Sequence, residues 1–437
     1  MQVDKLTQID LAIIHPDEEQ SLLSVFNCTH TIGGKLCLKY LLQHPLANTA
    51  EIIDTQLVIK HLQQNTASWP ASITNGTIMV LDKFFETPME KMPAHPVVWQ
   101  AWYYQLINRS DFALAKYSME HMVVFLQGMQ QMEQLLQNAA AQQLQNWQQQ
   151  LQQKLAKPTL QAMIAVADAK KLTATEVLHF ANYLKQQGKK LVQELIDIFS
   201  WLDAYHGVAK AMQRLPTCFP TLLTAEKPFL HIKQLYHPLV QQPTAYNVQF
   251  EQKDNFLFLT GANMAGKSTF IKAVGISVYL AHLGFPVPAA AMQLTFCDGL
   301  LSNIQVSDNV VKGESYFFSE VLRIKNTILK INDGKKWLIL IDELFKGTNV
   351  QDAMKCSTVV MEGLLRLQNN FFIVSTHLYE IGEDLKKYNN IQFRYFETSI
   401  QNDQLQFSYQ LKNGISNDRL GYLILKREGV VELLNNL

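Results

Sequence analysis

The sequence predicts a multidomain α and α/β protein: an all-helical part over residues 1–225, then an α/β part over residues 226–437 with a mostly parallel sheet. Three observations predict it. Before residue 225, apolar residues recur at three- and four-residue spacing, the period of a helix with one buried face. After Leu215, short uninterrupted apolar runs appear: Phe256-Leu-Phe-Leu-Thr260, Trp337-Leu-Ile-Leu-Ile341 and Phe371-Phe-Ile-Val-Ser375. Strands buried on both faces require such runs. Helical stretches lie between them, the rhythm of a parallel sheet covered on both sides.

A chain of 437 residues exceeds one core, and 48% hydrophobic with 17% charged residues excludes a disordered polymer. Lys+Arg and Asp+Glu both total 38, so whole-chain charge does not signal a strongly basic nucleic-acid binder. Cys28, Cys37, Cys218, Cys297 and Cys356 have no metal-site or redox spacing and read as thiols in a reducing compartment. The first ten residues carry no apolar signal core. No uninterrupted apolar run approaches the length of about 18 residues that spans a bilayer. A cytoplasmic protein without membrane contact is expected.

Residues 18–64 read as helices broken at Gly33-Gly34 and at His44-Pro45. Pro70, Pro88, Pro93 and Pro96 make the next stretch irregular. From about 111 to 156 there is no proline, and Leu126, Met129, Met132, Leu136, Ala140, Leu144, Trp147, Leu151 and Leu155 form one apolar stripe. A single helix there would span roughly 65 Å at 1.5 Å per residue. Its other face is mostly glutamine, a helix-favouring, uncharged residue. Pro158 ends it. Thr173-x-x-Glu176 has the capping-box pattern and opens a second long helix to about Tyr205. Together they predict an antiparallel, lever-like arm. Near the end, two alternating stretches flank Gln401-Asn-Asp403 and predict an antiparallel hairpin.

Gly261-Ala262-Asn263-Met264-Ala265-Gly266-Lys267-Ser268 fits G-x-x-x-x-G-K-[ST], with a strand before it and a helix from Lys267 through Thr269, Ile271 and Val274. That loop and helix start would cradle nucleotide phosphates with backbone N–H groups. Lys267 would supply positive charge to the β and γ phosphates, and Ser268 would coordinate Mg²⁺. ATP and Mg²⁺ are the expected cofactors. Asp342 ends an apolar strand, at the sheet edge where α/β folds bind ligands. It is expected to hold Mg²⁺ through its water shell. Glu343 is placed to polarise the attacking water. His377 ends the next apolar strand and reads as a γ-phosphate sensor.

These residues resemble the MutS family of DNA mismatch-repair ATPases. Thr260-Gly-Ala-Asn263-Met264-Ala-Gly-Lys-Ser-Thr269 is similar to that family's T-G-P-N-M-x-G-K-S-T. Gly284-Phe-Pro-Val-Pro288-Ala289 resembles its G-x-x-V-P-A, and the run from Asp342 through Gly347-Thr348 to Asp352 resembles its D-E-x-x-x-G-T-x-x-x-D. Ser375-Thr376-His377-Leu-Tyr-Glu380 is similar to its T-H-x-x-E, and Ser315-Tyr-Phe317-Phe-Ser-Glu320 to its S-x-F-x-x-E. Before residue 225, Thr29-His-Thr31-Ile-Gly33 with Lys35-Leu36, His44-Pro45-Leu46 and Leu202-Asp203-Ala204 resemble the family's core domain and returning lever. The resemblance implies a core and lever domain followed by an ABC-type P-loop ATPase. It implies a homodimer with composite nucleotide sites, Ser315 completing the partner's site in trans. It also implies ATP hydrolysis coupled to double-stranded DNA, in mismatch repair or related DNA maintenance.

The sequence departs from the family's pattern in several places. Too few residues precede the core for a mismatch-recognition domain and connector, and residues 157–172 are too few for a DNA clamp. A reduced C-terminal dimerisation segment is also expected. Phe84-Phe85-Glu86 and Phe318-Ser319-Glu320 match the family's Phe-x-Glu literally but fall inside the core and ATPase regions, and read as coincidence. Lys346 stands where relatives often carry Arg. From Arg109 to Arg214 there are 11 Lys/Arg and 8 Asp/Glu, too slight an excess for a strong phosphate-contact set. Lys170-Lys171 and Lys189-Lys190 are the candidate DNA contacts. The alternative function is an ATPase scaffold that moves its arms against a protein partner. A transporter ATPase is disfavoured because no L-S-G-G-Q-like signature is present.

Overall fold

The computed structural model describes residues 1–304, 316–401, 404–416 and 430–435. The chain forms two compact units. One comprises Met1–Val25, Leu42–Ile52 and Leu215–Leu437; the other comprises Phe26–Leu41 and Ile53–Arg214. The sequence predicts the division near residue 225, with everything before it in one piece. In the structure it falls about ten residues earlier, and two N-terminal stretches join the sheet-bearing unit.

The first unit holds eleven described strands: β1 Gln2–Val3, β2 Thr221–Leu223, β3 Phe229–Leu235, β4 Tyr246–Glu251, β5 Phe256–Thr260, β6 Ala291–Thr295, β7 Gly299–Asn303, β8 Trp337–Asp342, β9 Phe371–Ser375, β10 Ile391–Gln401 and β11 Gln404–Asn413. Seven form one sheet in the order β1-β7-β8-β9-β5-β10-β11. All its pairings are parallel except β10 with β11. That pair is the expected hairpin, with residues 402–403 outside the described ones. Every residue of β5, β7, β8 and β9 is buried, as their apolar runs require.

A second sheet, in the order β2-β6-β3-β4, was not foreseen. Its β3–β4 and β3–β6 pairs are antiparallel and β2–β6 is parallel. β4 alternates buried and exposed residues instead of presenting a continuous apolar run, the pattern of a sheet with one covered face.

N-terminal residues complete this unit. β1 pairs with β7 at its edge. The Thr7 hydroxyl accepts the Ser302 N–H at 2.9 Å, and the buried Asp10 carboxylate accepts from the Ile304 N–H at 3.0 Å and Arg323 Nη2 at 3.1 Å. The buried Tyr279 hydroxyl donates to the Leu42 carbonyl at 2.7 Å.

The second unit is helical. Where one helix was expected over 111–156, there are two, Arg109–Leu135 and Gln142–Leu155. Asn138 adopts a left-handed φ of 59° between them. The Asp54 carboxylate then caps the second helix, accepting from the Gln142 and Gln143 amides at 2.6 and 3.1 Å. Ala140 of the predicted stripe lies in the break and is exposed, whereas Leu126, Met129, Met132, Leu136, Leu144 and Leu151 are fully buried. The capping box at Thr173 and Glu176 forms as expected. The helix it opens runs Ala174–Tyr183, widens into a π-turn over Leu184–Gly188, and continues over Lys189–Ala211. Among the described residues, no helix is long and apolar enough to cross a membrane.

Candidate active site

Three neighbouring parallel strands, β8, β9 and β5, end side by side, and their registers fix the site. Asp342 pairs with Ser375, and Ser375 with Leu259. The loops leaving these strands therefore converge: 261–266 after β5, Glu343 onward after β8, and Thr376-His377 after β9.

The first loop turns sharply. Gly261 has φ 141°, and a Cβ there would lie 3.2 Å from the Phe396 Cβ. Met264 has φ 67°, and Gly266, at φ 105°, precedes the helix Lys267–His282. A helix start leaves N–H groups without intrahelical partners and favours an anion. Lys267 is buried, and its Nζ donates to the Gly261 and Ala262 carbonyls at 2.7 and 3.0 Å. Burial pushes its pKa below the usual lysine range, while Glu343 and Asp342 oppose that shift.

Asp342 is buried and accepts hydrogen bonds from the Ser268 and Ser375 hydroxyls, one on each carboxylate oxygen. Glu343 follows with φ 64°, its N–H bonded to the Ser375 carbonyl at 3.1 Å. Phe345 is also left-handed, at φ 58°. Two non-glycine residues in this region store about 1–3 kcal/mol each, the kind of strain that clusters at functional sites. Glu343 Oε2 lies 3.0 Å from Lys346 Nζ, and Oε1 lies 3.9 Å from His377 Nδ1. Burial acts to lower the Lys346 pKa, but the hydrogen bond and charge of Glu343 outweigh it and raise the value.

A pocket of about 430 Å³ opens over this constellation, lined by Ala262, Asn263, Met264, Gly266, Lys267, Ser268, Thr269 and Glu343 together with His237, Tyr246 and Tyr409. His237 is pushed down to about 4 by burial and by Lys272, so it is a neutral wall at neutral pH. The structure thus brings together the loop from Gly261, Lys267, Ser268, Asp342, Glu343 and His377. Ala265 is buried behind the loop. Ser315 lies outside the described residues.

Two contributors escaped the sequence reading. Glu320 is buried, and its carboxylate accepts the Lys346 and Gly347 N–H groups, both at 3.1 Å, holding the turn that carries Glu343. Gly347 must be glycine, because a Cβ would lie 2.6 Å from the Phe317 nitrogen. The S-x-F-x-x-E pattern contained Glu320, but its partner, a turn over twenty residues away, is a tertiary fact. Ser375 stands in the S-T-H motif, but its role as the donor that holds Asp342 comes from the register of β8 with β9. The candidate DNA lysines belong to the helical unit, where Lys171 lies 3.7 Å from Asp168 and Lys190 lies 4.0 Å from Glu194.

Residues 257–433 match MutS domain V. The chain is 28% identical over 233 residues to DNA mismatch repair protein spellchecker 1 of Drosophila melanogaster, covering 52% of this chain and 25% of that protein. It is 28% identical over 236 residues to DNA mismatch repair protein MutS of Listeria innocua, covering 53% and 27%. It is 31% identical over 201 residues to MutS protein homolog 4 of Homo sapiens, covering 44% and 21%. The matches span about a quarter of the length of these relatives. Domain V begins within β5 and takes in the strand ends that build this site, and over this region the chain is similar to MutS-family proteins.

Proposed function

We propose that the chain is a Mg²⁺-dependent ATPase of the MutS type, with an ABC-type P-loop arrangement, that couples ATP binding and hydrolysis to double-stranded DNA. The observation that carries this reading is the convergence of Lys267, the Ser268–Asp342 pair and Glu343 on one pocket. Lys267 and the helix start suit the triphosphate. The Ser268 hydroxyl and Asp342 carboxylate are the oxygen donors that would hold Mg²⁺, a cation that takes oxygen ligands. Mg²⁺ would supply charge neutralisation on the phosphates.

Glu343 is the base candidate. It holds a proton acceptor at the pocket wall, and Lys346 orients it. In this reading His377, beside Glu343, meets the γ-phosphate or the water. Lys346 keeps the cation at the place where relatives often carry Arg. His237, Tyr246 and Tyr409 would form the wall against the base. Two subunits would sandwich nucleotide, with Ser315 acting across the interface. Duplex DNA is the partner this family reading favours. The helical unit's positive excess is slight, and the candidate contacts Lys171 and Lys190 lie 3.7 and 4.0 Å from Asp168 and Glu194, so DNA affinity should be modest.

The test is ATP turnover with matched, mismatched and branched duplexes at two salt concentrations, alongside fluorescence anisotropy with the same duplexes. Salt-sensitive DNA binding that changes with ATP supports the reading. ATP turnover with no duplex binding would instead favour arms that act on a protein partner. The exposed apolar helix Val98–Ile107 is the observation that keeps this second reading.

A further inference from the structure

We propose that the helical unit carries a metal site, in which His30, Asp203 and His206 hold one divalent transition-metal ion of the zinc class. All three residues belong to the helical unit, whereas the nucleotide pocket belongs to the other. The proposal does not depend on the ATPase reading.

Asp203 and His206 stand three residues apart on the helix Lys189–Ala211, a spacing that puts two side chains on one helix face. His30 lies just before the helix Ile32–Gln43, 173 residues from Asp203 in the chain. One ligating atom from each of the three lies within 4.8 Å of the others. His30 Nδ1 and Asp203 Oδ1 are 3.1 Å apart. Two ligands of a tetrahedral zinc ion, each about 2.0–2.1 Å from the metal, lie about 3.3 Å apart. That pair already has the separation of two ligands on one ion, and His206 has to close by no more than about 1.5 Å. The metal would take the place of the proton between His30 and Asp203.

A hydrogen bond accounts for His30 and Asp203 without a metal, but it does not account for His206. That residue is 1% exposed, and neither its Nδ1 nor its Nε2 has a hydrogen-bond partner. A neutral imidazole carries one donor and one acceptor nitrogen, and buried polar atoms are nearly always paired. The faces of the ring are occupied. Trp69 stacks on it at 3.9 Å and 5°, and His30 at 5.3 Å and 23°. Stacking fixes the plane of the ring and leaves the nitrogens, at its edge, for a ligand.

The donor set selects the ion. Two imidazoles with one carboxylate suit zinc and its first-row neighbours, whereas Mg²⁺ and Ca²⁺ take oxygen ligands. Three protein ligands leave a fourth position for water. The His30 side chain is 31% exposed and marks the side from which water and ion would enter. The Asp203 Oδ2 accepts from the Thr31 N–H at 2.8 Å and from the Thr31 hydroxyl at 2.7 Å, the outer support that ligating carboxylates carry. A metal here would tie the start of Ile32–Gln43 to Lys189–Ala211 and so stabilise the helical unit.

The experiment is calorimetric titration of the metal-stripped, thiol-reduced full chain with Zn²⁺, in excess Mg²⁺ so that oxygen-donor sites are filled. Wild type should bind one zinc per chain, and its urea midpoint should rise with zinc. His206→Phe keeps a flat ring against Trp69 but has no nitrogen. His30→Gln, at a partly exposed position, keeps a donor for Asp203 but removes the imidazole. Each should weaken zinc at least about 100-fold with unchanged circular dichroism, since even a residue that only supports a metal ligand is worth about 10–100-fold. Cobalt bound at the site should quench Trp69 fluorescence, and Trp69→Phe should remove that share of the quenching while still binding zinc. No zinc binding by wild type overturns the proposal and leaves the His206 nitrogens to buried water. Unchanged zinc affinity in either histidine variant also overturns it, by placing the ion elsewhere on the chain, as does cobalt quenching that Trp69→Phe leaves intact.

Discussion

At the residue scale, the site depends on a few side chains that neighbours hold in place. Lys267 is buried at the end of the pocket and Asp342 is bonded on both oxygens. Removing the cation should remove charge stabilisation at the transferred phosphate. Lys267→Ala is expected to lower ATP turnover at least about 100-fold, the cost of deleting one such contact, without loss of fold, as read by kcat beside a thermal melt. Glu320 acts through the turn it holds, with Lys346 and Gly347 as its donors. Glu320→Gln keeps the shape but cannot accept both N–H groups equally well. It is expected to lower kcat about 10-fold while leaving ATP affinity near wild type, because the turn carries Glu343 and not the phosphate loop. Equal loss of binding and turnover would assign Glu320 to general stability.

At the element scale, the helix Ile32–Gln43 shows how a buried charge sets an N-terminus. The Asp203 carboxylate accepts from the His30 and Thr31 N–H groups and from the Thr31 hydroxyl, which itself accepts the Gly34 N–H at 3.0 Å. Asp203→Ala would leave these donors buried without partners. A loss of about 3 kcal/mol in the helical unit is expected from cap deletion and unsatisfied donors, measured as the shift in its urea midpoint. The π-turn at Leu184–Gly188 has a comparable local reason. It sends Lys185 to the carbonyls of Phe84 and Thr87 at the C-terminal end of Asn75–Glu86, where a cation is favoured by the helix dipole.

Elements were legible where one local signal sufficed. The apolar runs at β5, β8 and β9 gave strands, and Thr173-x-x-Glu176 gave a helix start. The break at Asn138 was not legible. Gln-Asn-Ala-Ala is compatible with helix, and the carboxylate that rewards the break, Asp54, comes from a distant helix. The second sheet was missed because strands such as β4 alternate, and because β6, which sits between β2 and β3, comes from a later stretch of the chain. The convergence at the strand ends was largely legible because loop, strand end and carboxylate are each local. Their mutual support through Ser375 and Glu320 was not.

At the scale of the whole molecule, buried histidines link stability to pH. His282 is fully buried, with Nδ1 bonded to the Val278 carbonyl at 2.7 Å and Nε2 accepting the Cys297 N–H at 2.9 Å. That arrangement needs the neutral ring, and burial pushes its pKa down to about 4. His206, stacked on Trp69 in the helical unit, is also pushed down to about 4 by burial and by His30. The unfolded chain binds these protons near pH 6.5 and the folded chain only near 4, so stability is full above pH 6.5 and declines as pH falls toward 4. From pH 7 to 5 each ring should cost about 2 kcal/mol, one in each unit. Urea unfolding at both pH values checks this, and unchanged midpoints would place both rings in contact with water.

The central claim is that Glu343 performs the chemistry on a nucleotide seated over Lys267. The most direct measurement is ATP binding and single-turnover hydrolysis in wild type and Glu343→Gln. Wild type should bind ATP with Mg²⁺ and hydrolyse it. The variant should bind with similar affinity and hydrolyse at least about 100-fold more slowly, the range of a lost general base. Wild-type hydrolysis in the variant, or no ATP binding by the wild-type chain, would contradict the account.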